Sequence, residues 1–413
     1  MKRLSDLCIS VKDQCDPAKS RAAVYVGLEH ITGGEFFLKR HGKPSDVQSA
    51  KNCFQKGDIL YGKLRPYLDK AVIAPDKGIC STDILVLRPS HGVCGAFLLG
   101  LIHSAEFRTH ADQTTNGVNH PRTSWDGLAG FTWNIPEQSE QNKIAAALWK
   151  FQLAIDVEAK LVAAARQLKQ ATMNLLFTRG LRGEQPVETE VGWLPGSWQH
   201  NALGKISEIT YGAQAAVASA LDPSIGTPIF TNINITNEGK ISLDKLRYYK
   251  VPEHQRERLI LKKGDVLFNW RSGSADHVGK TAILDLDGEY TYSSFILRFR
   301  VHSQVTNAFL YRYLHYIKSQ GFFSNRRNVS SINSVFNASL AATIPIYFAP
   351  DTDEQDEIVG ILQTLDQKIL VHERKRAALQ DLFQTMLHNL MTARIRVNKL
   401  DIDTSEVATT STE

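Results

Sequence analysis

The sequence predicts an α+β fold: two homologous mixed α/β domains separated by two long helices that pair as an antiparallel coiled coil, with pseudo-two-fold symmetry. Three observations predict it. The chain carries one pattern twice, each copy opens on strand-rich sequence, and each closes on a long run of apolar residues spaced three and four apart. In the closing segments the copies superimpose without a gap at a shift of 214 residues. Asn119 falls on Asn333, Pro136 on Pro350, Glu140 and Gln141 on Glu354 and Gln355, Ile144 on Ile358, and Thr178 on Thr392. Upstream, Lys56-Gly-Asp-Ile-Leu-Tyr61 matches Lys263-Gly-Asp-Val-Leu-Phe268 at a shift of 207, and Ala96-Phe-Leu98 matches Ala308-Phe-Leu310 at 212. A repeat of about two hundred residues is too long for a solenoid. At 413 residues the chain also exceeds what one core supports.

Each copy begins with a mixed zone, residues 1–138 and 181–350. Ile79–Pro89 and Tyr290–Arg300 carry the β-branched and aromatic content of strands. A short apolar helix follows, over Ala96–Ser104 and Ala308–Ser319. Pro136 and Pro350 then announce long helices within 139–180 and 351–395, with acidic residues suited to a positive N-terminal end. The three-and-four spacing makes a seam through Ile144, Leu148, Ile155 and Leu168 in the first helix, and Ile358, Leu362, Ile369 and Leu382 in the second. Helices of about 39 residues run about 58 Å. Two separate amphipathic helices are the alternative, but the far half of each stripe would stay wet. Paired antiparallel about a local two-fold, Glu158 faces Arg374 and Lys160 faces His372. Thr189–Trp198 reads as a linker that docks two tryptophans. Residues 396–413, rich in Asp, Ser, Thr and Glu, are expected to be disordered.

Composition narrows the function classes. With 43% hydrophobic and 22% charged residues this is an ordinary globular chain. No apolar stretch approaches the ~20 residues that span a bilayer, and Gly95–Ile102 reads as a buried helix. The start, interrupted by Asp6 and Lys12, makes a poor signal peptide, so a cytoplasmic location is expected. All five cysteines lie in the first copy without Cys-x-x-Cys spacing, which favours reduced thiols over zinc ligands or disulfides. Both mixed zones and the first long helix are mildly basic, which suits a polyanion partner, while the end of the chain is acidic. Asp58 and Asp265 occupy equivalent strand starts and read as turn or cap residues. Motifs for phosphate-loop, zinc-protease or serine-hydrolase chemistry are missing, as are a glycine-rich AdoMet loop and an Asn/Asp-Pro-Pro-aromatic motif.

Glu190-Val-Gly-Trp-Leu-Pro-Gly-Ser-Trp198 opens the second copy, and Gly264-Asp-Val-Leu-Phe is followed by Gly279-Lys-Thr-Ala-Ile-Leu284. Pro-x-x-x-Glu-Gln-x-x-Ile recurs at Pro136–Ile144 and Pro350–Ile358. In this order, twice over, the motifs resemble the specificity subunit of type I restriction–modification enzymes, across essentially residues 1–395. The sequence departs from that pattern in starting almost directly on the first domain, without the Trp-Leu-Pro segment. The resemblance implies two target recognition domains, each reading one half of a split double-stranded DNA sequence. It implies helices that set the spacer and dock two methyltransferase subunits, with restriction/translocase subunits joining through the complex. It implies no catalysis and no cofactor on this chain, with AdoMet, and ATP and Mg for restriction, on partner subunits. It implies no membrane partner. A non-catalytic adaptor, or a nucleic-acid binder outside restriction–modification, is the alternative; the Arg- and Asn-bearing loops count against the first.

Sequence readout uses Arg and Lys for guanine, Asn and Gln for adenine, and hydroxyls, displayed on loops or helix ends. Three places in each copy supply them. The turn after the Gly-Asp strand carries Lys63, Arg65 and Tyr67 in the first copy, and Asn269, Arg271, Ser272 and Ser274 in the second, with Lys280 just beyond. The polar loop before the long helix carries Asn116, Asn119, His120 and Arg122, and then Arg326, Arg327, Asn328, Ser330 and Asn333. Asn119 and Asn333 mark either a base contact or a loop-closing amide. The third place, Lys39, Arg40 and Lys43 with the counterpart Asn232 and Asn234, reads as a further contact or as a plain hairpin tip.

Overall fold

A computed structural model of the chain describes residues 1–408 apart from 21, 215–222, 273–276, 303, 327 and 330–333. At 225, 325, 326, 328, 329, 334, 335 and 408 it describes the backbone alone. The chain divides into two compact units, Met1–Val162 with Val371–Glu413, and Ala163–Leu370. The division falls inside the long helices, so each unit combines a strand-rich part with a piece of both.

Unit 1 contains strands β1 (Lys2–Arg3), β2 (Cys8–Val11), β3 (Ile59–Gly62), β4 (Ala71–Ile73), β5 (Ile84–Pro89) and β6 (Thr132–Trp133). Four of them form an antiparallel sheet in the order β2-β5-β3-β4, and β1 pairs with β6. Alternation along the strands puts Ile59, Ala71 and Leu87 into one core and Leu60, Val72 and Val86 into another, so both faces are covered. Helix α1 (Gly95–Ile102) is buried along its whole length on the first face. The long helix α2 (Gln138–Arg179) starts soon after. The five cysteines are free thiols, and burial pushes the Cys8 thiol up to about 12.

Unit 2 repeats the plan with β7 (Gln199–Ala202), β8 (Ser207–Tyr211), β9 (Val266–Asn269), β10 (Thr281–Ile283), β11 (Ile296–Val301) and β12 (Pro345–Phe348). The sheet order is β8-β11-β9-β10, and β7 pairs with β12. Helix α3 (Asn307–Ser319) matches α1. The same ion pair pins both sheets. Asp58 accepts from the Gln55 amide at 2.8 Å and forks with Arg88 at 2.8 Å. Asp265 accepts from the Lys262 amide at 2.8 Å and forks with Arg300 at 2.7 and 2.6 Å. The expected turn carboxylate is thus also a partly buried ion pair, a stronger use of the residue.

The second long helix is α4 (Thr352–Met391). In unit 1, Ile144, Leu148, Ile155 and Val162 of α2 are buried, as are Phe383, Leu387 and Leu390 of α4. In unit 2 the buried positions are Met173, Leu176 and Phe177 of α2, and Ile358, Leu362, Leu365 and Ile369 of α4. Two seam expectations fail. Leu168 is 55% exposed and Leu382 46% exposed. Each stands one place off the seven-residue beat set by Leu148, Ile155 and Val162 or by Ile369, Phe383 and Leu390, whose other members are Lys169, Leu176 and Arg376. The charge pairing also differs, by two residues. Glu158, itself buried, accepts from His372 at 2.7 Å and Lys375 at 2.6 Å rather than facing Arg374, and Lys160 pairs with Asp156 on its own helix at 2.8 Å.

The repeated Glu-Gln motif organises helix starts. Gln141 donates to the Pro136 carbonyl at 2.9 Å; Gln355 donates to Ala349 at 2.8 Å and accepts from the Thr306 amide at 3.0 Å. Glu354 accepts from the Leu181 amide at 3.5 Å, just beyond α2. Glu140 forks with Arg396 at 2.8 and 2.6 Å and accepts from the Val397 amide at 3.2 Å. Residues 396–408, expected to be disordered, therefore dock on unit 1, where Val397 and Val407 are buried. Composition missed this because two valines and one arginine suffice when their sites are already formed.

Candidate nucleic-acid interface

In unit 1 two of the three expected places form one surface. The chain leaves β3 through Lys63–Tyr67, and the polar loop 116–122 closes as a hairpin, with Asn116 and Arg122 exchanging backbone hydrogen bonds at 2.9 and 3.0 Å. Backbone bonds then stitch the two together: Arg65 N–H to the Pro121 carbonyl at 2.8 Å, and Thr123 N–H to the Lys63 carbonyl at 3.0 Å. Arg65 holds a left-handed conformation, φ 51°, as does Asp69 at 52°. A non-glycine residue in that region is strained, and such strain concentrates where a side chain must be aimed. Asp69 anchors the turn to the fold by accepting from His103 Nδ1 at 2.8 Å, with Arg108 at 3.7 Å. Arg65, Tyr67, Asn119 and His120 are exposed on this surface, and Lys63 is half-buried.

Arg122 does different work. It forks with Asp83 at 2.8 and 3.2 Å and donates to the His120 carbonyl at 3.3 Å, so it braces the hairpin from beneath. The guanidinium holds the Asp83 carboxyl below the usual carboxylate range. Lys39 is likewise committed, to Glu35 and to Asp156 of α2, both at 3.0 Å. Arg40 is exposed and donates to the Glu29 carbonyl at 3.3 Å; Lys43 is exposed at the same tip. The third place is therefore tied partly to the long helix.

Unit 2 brings the same two loops together by another ribbon. Arg271–Ser272, directly after β9, pairs with Ser334–Val335, which pairs with Asn328–Val329. Arg326 ends a short helix, Phe322–Arg326. Ser274, Arg327, Ser330 and Asn333 lie outside the described residues, as do the side chains of Arg326 and Asn328. Beside the ribbon a cavity of about 280 Å³ is lined by Tyr211, Gln214, Trp270, Arg271, Ser294 and Phe295. The Arg271 guanidinium lies 5.7 Å over the Phe295 ring, and its Nε is buried without a hydrogen-bond partner. Sequence reasoning missed Tyr211, Gln214 and Phe295. The polar neighbours Ser293 and Ser294 were the available signal that Phe295 points outward.

Four expected contacts are corrected. Asn234 is 1% exposed, and its amide bonds to Thr231, Ser242 and Asp244. Asn269 is fully buried and donates to the His277 carbonyl at 2.9 Å. Ser272 is buried, and so is Lys280, which donates to the Ile235 carbonyl at 3.4 Å; burial lowers its pKa. These groups shape loops from inside, because a polar side chain next to a tight turn finds backbone partners before it finds a ligand. Asn232, half-buried, sits on the same short turn as Asn234. Among the described residues no helix is long and apolar enough to cross a membrane.

A family model described as a type I restriction modification DNA specificity domain matches residues 195–381. The type I restriction enzyme MjaVIII specificity subunit of Methanocaldococcus jannaschii is 21% identical over 393 residues, 91% of this chain and 87% of that protein. The EcoDI specificity subunit of Escherichia coli is 28% identical over 139 residues, 33% of this chain and 31% of its own. Among solved structures, the S subunit of a type I restriction–modification system from M. genitalium covers 94% of this chain and 95% of its own, with a TM-score of 0.59 and 14% identity. A chain from a structure of type I system assembly and conformational transition covers 95% and 97%, with a TM-score of 0.58 and 19% identity. At these identities the structural likeness concerns the fold.

Proposed function

We infer that this chain, which belongs to the specificity subunits of type I restriction–modification systems, reads a bipartite DNA target with one half-site per strand-rich domain. The observation that carries this reading is the repeated stitching of the post-strand turn to the pre-helix loop, which gives each unit a braced, polar surface. Direct readout needs such rigid display of Arg, Asn and hydroxyl groups toward a groove. With mildly basic domains, the chain alone neutralises few phosphates, so its own binding is modest and salt-sensitive.

The long helices act as the spacer, pairing antiparallel between the recognition domains. Glu158 and His372 support this: they occupy equivalent positions in the two copies and bond to each other, as a local two-fold requires. The same helices dock two methyltransferase subunits. On α2, Val157 and Leu161 in unit 1 and Leu168 and Leu175 in unit 2 are exposed; on α4, Val371 and Leu382 are exposed in unit 1. Three-and-four spacing off the buried seam is what a partner's helices pack on. Catalysis, AdoMet, and the ATP and Mg for restriction belong to partner subunits, with restriction/translocase subunits joining through the assembly.

Lengthening α2 by about one turn, ~4 residues, should change the number of bases between half-sites and leave the half-sites unaltered. Methylome sequencing of cells carrying that variant reads both. An altered half-site with an unchanged spacer would refute the ruler.

A further inference from the structure

One turn is built twice and finished differently. In unit 2 the backbone of residues 293–296, leading into β11, is pinned by three hydrogen bonds. Ser293 N–H donates to the Phe230 carbonyl at 2.8 Å, Ile296 N–H to the Ser293 carbonyl at 3.0 Å, and Trp270 N–H to the Phe295 carbonyl at 3.4 Å. Unit 1 makes the same three bonds at the matching places: Ser81 to Val26, Ile84 to Ser81, and Lys63 to Asp83, each at 2.9 Å. The side chains carried on this common frame have changed. Asp83 is spent on Arg122 at 2.8 and 3.2 Å, whereas Phe295 stands in its place and is 43% exposed. Leu64, beside Lys63, is matched by Arg271, beside Trp270.

The fold therefore needs the turn and not the ring. A phenyl group held wet on a fixed backbone gains most when a ligand covers it. It does not stand alone: the Arg271 guanidinium lies 5.7 Å over its centroid. That separation is less than two base-pair rises of ~3.4 Å, so the two groups address one base pair or two adjoining ones. The cavity between them has apolar walls whose polar atoms are already bonded. The Tyr211 hydroxyl accepts from the Ala338 amide at 2.9 Å, and the Trp270 indole donates to the Ser294 carbonyl at 2.7 Å.

Resting on the recognition reading above, we propose that Arg271 and Phe295 read one two-base-pair step in the major groove: Arg271 a guanine, and Phe295 the C5-methyl group of a thymine in the adjoining pair. A guanidinium fork matches guanine O6 and N7, and an apolar side chain matches the thymine methyl, which no other unmodified base presents in that groove. The bonded walls of the cavity leave an apolar recess for the methyl-bearing edge. Unit 1, with Leu64 and Asp83 at these places, lacks this reader.

Methylome sequencing of cells carrying the native system and the Arg271→Ala variant identifies the half-site of unit 2 as the one that relaxes. That half-site should contain a guanine with a thymine in a neighbouring base pair. In competition binding by the native assembly, a duplex with uracil for that thymine, which removes the methyl alone, should bind about fourfold more weakly, the worth of one buried methyl. Phe295→Ala should weaken binding of the thymine duplex by about the same factor and bind both duplexes alike; Phe295→Leu should keep part of the preference. A purely structural Phe295 would weaken both duplexes equally and preserve their ratio, which overturns the proposal. So does a half-site with no thymine beside its guanine. Should Phe295→Ala lose stability, the uracil comparison on the native chain decides. Absence of any sequence preference in the native assembly would overturn the recognition reading itself, whereas intact half-sites with thymine and uracil bound equally overturn this pair alone.

Discussion

The strand-rich parts of the two units are joined to the long helices by opposite forces. In unit 1, Phe383 of α4 packs edge-on against Phe36 at 5.5 Å, and Phe36 stacks on His103 at 5.4 Å. Gly100 of α1 gives close approach to Leu148 of α2 and Met391 of α4. At the matching positions unit 2 has Lys169 for Phe383, Arg312 for Gly100 and Asp366 for Gln152. Those three form a network, with Asp366 accepting from Lys169 at 2.6 Å and from Arg312 at 2.7 Å. Burial alone would raise the Asp366 carboxyl; the two cations outweigh it and hold it below the ordinary range. Duplication has preserved where the joint lies and not what closes it. One joint rests on apolar burial, which pH does not touch, and the other on charge, which it does.

The largest effect expected is at the apolar joint. Phe383→Ala should cost about 3–5 kcal/mol, and urea unfolding should give the same loss at pH 5.5 and pH 8. A loss that varies across that range would mean a titrating group carries part of the joint. Next comes Asp366→Asn, expected to cost about 2–3 kcal/mol at neutral pH because it leaves two partly buried cations unmatched. Its folded pKa is depressed, so the contribution is full above the unfolded value, about 3.9, and is lost as pH falls through the folded one. The gap between wild type and variant should therefore narrow as unfolding is followed from pH 7 down to pH 3; a constant gap would break the contrast. The smallest effects concern reading. Arg65→Ala should relax only the half-site of unit 1 and Arg271→Ala only that of unit 2, by about 1–2 kcal/mol at one base position. Methylome sequencing distinguishes this from equal weakening of both half-sites, which would recast these residues as phosphate contacts.

Much of this was legible in the sequence because duplication filters noise. A residue kept at the same place in both copies, such as Glu140 with Glu354 or Asp58 with Asp265, marks a structural duty even before that duty is known. The sequence misled where spacing alone had to decide. Leu168 and Leu382 match each other at the repeat shift and fit a three-and-four count, yet they lie one step off the buried beat, which Lys169 and Leu176 or Phe383 and Leu390 carry. Apolar content was a poor guide there because Lys169 lies on the seam and is matched by Asp366. Asn234 and Asn269 misled for another reason: residue type advertises hydrogen bonding without saying whether the partner is a base or the protein's own backbone. The cavity beside Trp270 was hidden because its aromatics sit in runs that also read as core.

The hairpin at 116–122 is fixed by main-chain bonds at its base and by Arg122 beneath it, while Gly117, Val118, Asn119 and His120 form its exposed crown. Frame and lettering are thereby uncoupled. Gly117 keeps the turn at φ 96°, but on the proposed reading the side chains of Val118, Asn119 and His120 can be exchanged at little cost to folding, so a lineage could rewrite the word its reader accepts by point substitution while the scaffold, and whatever assembles upon it, stays as it was.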